Sequence, residues 1–201
     1  MTFFKKQKKT ENPYLTDKQL VKVILSAKDP TIKRQLQEEL YHRFAERIYF
    51  KCLSIVKSKE IAKDLTHDII IKIFFNLGKY SGISEFYPWV AAITYNHCIN
   101  WLNKEKKLKV ESIENHAFQI GLDDSEEAIA IKMLEELQLS QLERLFQELK
   151  EAEKIVLLMR YQDGLSVKNI ASILKIGESA VKMRLKRGRD HLIRLVKEES
   201  I

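Results

Sequence analysis

The 201 residues carry 35 Lys and Arg against 28 Asp and Glu, and the resulting formal charge of +7 points to a polyanionic partner. A hydrophobic content of 45% is enough to build one ordinary domain or two small ones, while "IIIKIFF", short and broken by Lys72, is no membrane span, so no membrane insertion is expected. Six Gly and three Pro are too few for an all-β chain with many tight turns, and the expected class is all-α.

The opening "MTFFKKQKKT" places its aromatics before its charges and lacks an apolar core segment, which is unlike a secretory signal; residues 1–13 read as a basic disordered tail closed by Asn12-Pro13. Thr16-Asp17 caps a first helix containing Leu20, Val21, Ile24 and Leu25, which Asp29-Pro30 ends. A longer helix is predicted from Thr31 to Val56, with Leu36, Leu40, Phe44, Ile48 and Cys52 on its buried side. Cys52 and Cys98 stand far apart with no metal-ligand spacing, as reduced thiols do in a cytoplasmic protein.

From Glu60 to Asn76 the run "IAKDLTHDIIIKIF" puts Asp64, His67, Asp68 and Ile71 on one side of a helix at i, i+3, i+4 and i+7. Two carboxylates and an imidazole are ordinary ligands for a divalent metal. With His42 upstream and Asp123 or Asp124 downstream, the pattern is faintly similar to that of an HD-type metal phosphohydrolase. A solvated polar face is the simpler reading of a short acidic cluster.

A Gly-containing loop, "LGKYSGISEF", then precedes a helix predicted from Pro88-Trp89 to Glu105, with Pro88 at its first position. Tyr80, Phe86, Tyr87, Trp89, Tyr95 and Trp101 interleave with Lys79, Lys104, Lys106, Lys107 and Lys109. Aromatic faces stack unpaired bases and lysines follow phosphates, so this composition suits a single strand. Phe86 and Trp89 are expected inside, and Tyr80 with its loop neighbours is the candidate for touching a base. Val110 to Glu127 contains Glu111, Glu114, Asp123, Asp124, Glu126 and Glu127 but no Lys or Arg, and reads as a flexible acidic linker. Apolar spacing resumes from Ala128 through Ile131, Leu134, Leu137, Leu142 and Leu145.

The C-terminal part has the pattern of a helix-turn-helix. Ile155, Val156, Leu158 and Met159 recur at helical spacing until Asp163-Gly164, and Ser166 caps a short helix with Ile170, Ile173 and Leu174 on its buried side. Gly177 is expected to take the sharp turn. A third helix, Ser179 to Lys197, buries Val181, Leu185, Leu192, Leu195 and Val196 around the small Gly188. Ser179, Lys182, Met183, Lys186 and Arg187 fall on the opposite face, and Arg184 and Arg189 flank the stripe. Such a helix fits a major groove, with side chains near its N-terminus at base edges and Lys and Arg on phosphates; a solvated basic face is the plainer alternative.

The run "LKEAEKIVLLMRYQDGLSVKNIASILKIGESAVKMRLKRGRDHL" resembles region 4 of the sigma-70 family, and most closely the extracytoplasmic-function (ECF) group. The resemblance implies that Ser179, Lys182, Met183, Lys186 and Arg187 face the groove of the minus-35 element, with Arg184 and Arg189 on the backbone. Ala62, Asp64 and Leu65 match the family's "A-x-D-L-x-Q-x-x-F", with His67 for Gln and Ile70 for Phe; this segment docks on the clamp helices of the polymerase largest subunit, which implicates Asp64, Leu65, His67, Asp68 and Ile71. "FYPWVAAITYNHCINWLNKEKK" is similar to the region 2 segment "F-x-x-W-L-x-x-I-A-x-N", through Phe86, Trp89, Ile93 and Asn96. That helix and the preceding loop open the minus-10 element, so Lys79, Tyr80, Ser81, Asn96 and Lys104 are implied single-strand contacts; Tyr95 and Asn103 stand where the family often has arginine.

The resulting expectation is two small helical domains, a region 2-like bundle at 14–108 and a region 4-like helix-turn-helix at 125–201, joined by the acidic linker 109–124. The resemblance implies a sigma factor with no catalytic, cofactor or metal site of its own. Its partners would be core RNA polymerase (clamp helices, and the flap of the second-largest subunit), promoter DNA and, as is common in the family, an anti-sigma factor. The reading from a different class is a stand-alone helix-turn-helix regulator with a helical sensor domain.

Overall fold

A computed structural model describes residues 15–108 and 139–199, and these contain helices and no strand. The chain divides into two compact units, Met1–Leu102 and Asn103–Ile201. The basic tail, the acidic linker at 109–124, Asp123 and Asp124 lie outside the described residues.

In the first unit local signals set the helix ends. Helix α1 (Asp17–Ser26) starts at a capping box, in which Thr16 Oγ1 accepts from the Gln19 amide at 3.3 Å and Gln19 Oε1 accepts from the Thr16 amide at 2.8 Å. Helix α2 (Pro30–Val56) is capped by Asp29, whose Oδ1 accepts from the Thr31 amide at 2.7 Å, with Pro30 at the first position. It stops at Lys57, which adopts the left-handed conformation, and Ser58 caps α3 (Lys59–Asn76) directly afterwards. A 3-10 turn (Leu77–Lys79) and a loop lead into α4 (Phe86–Leu108). This helix begins earlier than the sequence predicts, so Pro88 sits inside the first turn, where its missing N–H still forfeits no helical bond.

The core of this unit joins Leu20 and Ile24 of α1, Leu40, Phe44, Ile48 and Cys52 of α2, Leu65, Ile69 and Ile73 of α3, and Phe86, Val90, Tyr95 and Cys98 of α4. Arg43 fastens α2 to the chain before α1, donating to Leu15 O and Asp17 Oδ1 at 2.9 Å each and to Glu39 Oε1 at 2.9 Å. Burial alone would lower the pKa of this guanidinium, but the Asp17 and Glu39 carboxylates outweigh it and raise it.

The second unit runs α5 (Leu139–Glu148), α6 (Glu151–Leu157), a π-helical turn (Leu158–Gln162), α7 (Val167–Leu174) and α8 (Glu178–Glu199). Ser166 Oγ caps α7 by accepting from the Asn169 amide at 3.1 Å. The tight turn between α7 and α8 places Lys175, not Gly177, in the left-handed region, at φ 55°. Gly177 O instead accepts from the Val181 amide at 3.1 Å and starts α8.

At Gly188 the backbone of α8 packs tightly against α6. A Cβ there would lie 2.8 Å from Leu157 Cδ1, 3.2 Å from Leu157 Cγ and 3.3 Å from Glu153 Cβ. His191 Nδ1, 3.2 Å from Glu153 Oε2, joins the same two helices one turn further on.

Candidate nucleic-acid interface

Helix α8 is amphipathic in the sense its sequence predicts. Val181, Leu185, Leu192 and Val196 are buried, while Ser179, Lys182 and Arg187 are exposed and Met183, Arg184 and Lys186 half-buried. Arg189 departs from the expected arrangement: it is 6% exposed and its Nη1 donates to Tyr161 Oη at 3.1 Å. Its neighbour Gly188 faces α6, and a residue one position along the helix is carried under that contact instead of out to a phosphate. The outward face of α8 is therefore Ser179, Lys182, Met183, Arg184, Lys186 and Arg187.

On α3, Asp64, His67, Asp68 and Ile71 all reach the surface, whereas Leu65 is 4% exposed and packs in the core. Leu65, expected among the docking residues, thus lies behind the exposed face in the free chain. Phe75, at i+4 from Ile71 and 84% exposed, extends the face with an aromatic ring that the sequence reading missed. An "IIIKIFF" run reads as core, yet helical spacing turns Ile71, Lys72 and Phe75 outward. Asp68 Oδ2 lies 3.5 Å from His97 Nε2, and Lys72 Nζ lies 2.6 Å from His97 Nδ1, so α4 is tied to the edge of this face. Among the described residues no group of three or more His, Cys, Asp or Glu is placed to hold a metal ion.

The loop before α4 is ordered by its aromatic residues from within. Tyr80 is 8% exposed, packs edge-on against Phe86 with centroids 5.1 Å apart and against Trp89 at 5.7 Å, and donates its hydroxyl hydrogen bond to Ser84 O. Burial, with the Glu85 and Asp17 carboxylates, pushes the Tyr80 hydroxyl pKa up, so it stays a donor. The Tyr80 ring, expected at a base, is thus largely enclosed in the free chain by Phe86 and Trp89, with its hydroxyl bonded to Ser84 O. Lys79, Ser81 and Ile83 point outward instead, Ile83 with 89% of its surface exposed, across a turn at Gly82 (φ 72°). On α4 itself Asn96 and Lys104 are exposed. Tyr95 is fully buried and accepts from Lys51 Nζ at 3.2 Å.

These two units have the content and order of one protein family. Residues 40–108 match Sigma-70 region 2 and residues 139–192 match Sigma-70, region 4, together more than half of the chain. The RNA polymerase sigma factor YlaC of Bacillus subtilis (strain 168) is 27% identical over 154 residues, covering 76% of this chain and 87% of that protein. The ECF RNA polymerase sigma factor SigM of the same organism is 24% identical over 157 residues, covering 77% and 91%. The ECF RNA polymerase sigma-E factor of Escherichia coli (strain K12) is 28% identical over 133 residues, covering 63% and 69%. Among solved structures, the sigma factor RpoE of Bartonella quintana, crystallised with the anti-sigma factor NepR, has a TM-score of 0.59 at 18% identity over 80% of this chain and 96% of its own. CnrH, solved with the cytosolic domain of CnrY, has a TM-score of 0.59 at 16% identity over 90% and 97%. The protein is an RNA polymerase sigma factor of the sigma-70 family. Within that family it belongs to the ECF type.

Proposed function

We propose that the chain binds core RNA polymerase and selects promoters by reading the minus-35 element with α8 and opening the minus-10 element with the loop and helix α4. The observation that carries this reading is the exposed basic face of α8, set at a fixed angle by the Gly188 contact and the α7 turn. Lys182, Met183 and Ser179, near the helix N-terminus, reach base edges, while Arg184, Lys186 and Arg187 neutralise phosphates.

In the first unit, Asp64, His67, Asp68 and Ile71 of α3, extended by Phe75, meet the clamp helices of the largest subunit. A carboxylate suits this role because a partner arginine can pair with it bidentately. Lys79, Ser81, Asn96 and Lys104 follow the displaced strand, and the second unit meets the flap of the second-largest subunit. Two fold relatives were solved with an anti-sigma factor or a cytosolic partner domain, and this supports an anti-sigma partner here as well. Synthesis is left to the polymerase.

Run-off transcription with purified core polymerase on a promoter selected from a random library tests the proposal. Sigma-dependent transcripts that disappear with Asp64→Arg are the expected result. Sequence-specific DNA binding without any transcript would instead make the chain a stand-alone regulator. In the same library, Lys182→Ala should change the preferred upstream bases by roughly 1 to 3 kcal/mol per lost base contact.

A further inference from the structure

The two cysteines of this chain, separated by 46 positions and assigned to no interface above, meet inside the first unit. Cys98 of α4 donates its S–H hydrogen bond to Cys52 Sγ of α2 at 3.6 Å, and both side chains are 0% exposed. They are free thiols. Their surroundings are not those of two small apolar fillers. Lys51, adjacent to Cys52 and only 4% exposed, places its ammonium against Tyr95, one turn before Cys98. The hydrogen bond from Cys98 comes first in lowering the Cys52 thiol pKa and outweighs burial, with Thr66 and Lys51 assisting; the same pairing and burial push Cys98 up. The shared S–H hydrogen bond makes one sulfur donor and the other acceptor at 3.6 Å, an arrangement from which a bridge can form.

We propose that Cys52 and Cys98 are a hydroperoxide-oxidised dithiol whose disulfide locks α2 to α4 and suppresses promoter opening. The consequence for opening rests on the strand-binding role proposed for α4. The Cys52 thiolate attacks the distal peroxide oxygen, the O–O bond breaks, and the alkoxide or hydroxide that leaves takes a proton, giving a sulfenic acid on Cys52. Cys98 sulfur then attacks that sulfur, the S–S bond forms, and the sulfenic oxygen leaves as water with the Cys98 proton. Two thiols lose two electrons in all, and the peroxide is reduced to an alcohol, or to water, plus one further water.

The geometry gives this chemistry both selectivity and a readout. Full burial shuts out bulky or charged thiol reagents, whereas a small neutral hydroperoxide can reach the pair during local opening of the helices. Bonding brings sulfurs 3.6 Å apart to about 2.0 Å, and a close-packed core passes that displacement to the helices carrying them. Asn96, two positions before Cys98, is on the proposed strand face, so α4 is the element that transmits the change.

The full chain is treated with hydrogen peroxide, digested without reduction and mapped, and promoter opening with core polymerase is followed by permanganate before and after dithiothreitol. The expected result is a Cys52–Cys98 linked peptide lighter by two hydrogens, a severalfold loss of opening, and recovery on reduction. Cys52→Ala and Cys98→Ala, each of which removes the bridge while keeping an apolar core, should open promoters in peroxide as well as without it. Thiols that stay reduced under peroxide, bridges only between molecules, or an internal disulfide that leaves opening unchanged would each overturn the proposal. The peptide map does not depend on transcription. If the untreated protein opened no promoter, the sigma reading would fail independently of the dithiol.

Discussion

In the second unit one helix carries the proposed DNA contacts, and α8 separates simply into an apolar side and a basic side; in the first unit the proposed strand contacts come from a loop whose most conspicuous residues face inward. The difference lies in what holds each interface in place. Helix α8 is a rigid rod that needs only a seat, provided by Gly188 against Leu157 and Glu153. The loop between Leu77 and Phe86 has no regular hydrogen bonding of its own beyond its 3-10 turn, so Tyr80 stays inside with Phe86 and Trp89 to give it a shape. Charge marks most of the outer side of α8, with Arg189 the buried exception, but aromatic residues in a loop are as often its internal support as its contact surface.

The largest effect should come from removing the seat of α8. Gly188→Leu forces a branched side chain against Leu157 and Glu153, and overpacking of this kind should destabilise the second unit by about 3 kcal/mol. Thermal unfolding reads this directly, and minus-35 binding should weaken with it. Parental stability in this variant would mean that the two helices are not in close contact.

Arg189→Ala sharpens the same comparison from the other side. Its guanidinium is a packing group bonded to Tyr161, so its loss should cost roughly 1 to 3 kcal/mol of stability and leave the salt dependence of DNA binding intact. Arg187→Ala, on the exposed face, should leave the unfolding midpoint alone and reduce the salt slope by about one unit. If Arg189→Ala flattened the salt dependence and Arg187→Ala did not, the outward face of α8 would have to be rotated.

Phe75 tests whether the first unit has an exposed contact face of comparable simplicity. Phe75→Ala removes a ring with 84% of its surface in solvent, so the fold should be indifferent to it. If the ring is an anchor for the clamp helices, core polymerase affinity should fall by about tenfold or more. Equal affinity in a titration against labelled core enzyme would confine docking to the polar end of the face.

How much of this was legible in the sequence follows the same division. The helix-turn-helix, the capped helix starts at Thr16 and Ser166, the basic face of α8 and the tight place at Gly188 follow from periodicity and capping chemistry, which act within a few residues. Leu65, Arg189 and Tyr80 did not, because their burial is decided by packing beyond the helical repeat: the core packed against α3, Tyr161, and the Phe86–Trp89 pair across the loop. The meeting of Cys52 with Cys98 is of that kind too, since their spacing says nothing about which helices pack together. Lys175 in place of Gly177 shows a smaller limit: the sequence located the turn, and the backbone assigned its left-handed residue differently.

The smallest expected effect tests the loop itself. Ile83, 89% exposed beyond the turn at Gly82, is an apolar side chain that the loop turns to solvent, and under the proposed strand-binding role of this loop it would meet an unstacked base, while Tyr80 shapes the loop by donating to Ser84 O. Ile83→Ala should therefore reduce opening of a duplex promoter by about 1 kcal/mol, roughly fivefold, while unfolding stays unchanged. Tyr80→Phe keeps the ring packing and loses only the hydroxyl hydrogen bond. It should lower stability by about 1 kcal/mol and reduce opening only as far as the loop loosens. A pre-melted template should rescue Ile83→Ala in part, because the side chain acts on a base that has already left the stack. Were Tyr80→Phe to abolish opening at unchanged stability while Ile83→Ala had no effect, the tyrosine hydroxyl would be a direct strand contact and the loop would have to turn inside out on binding.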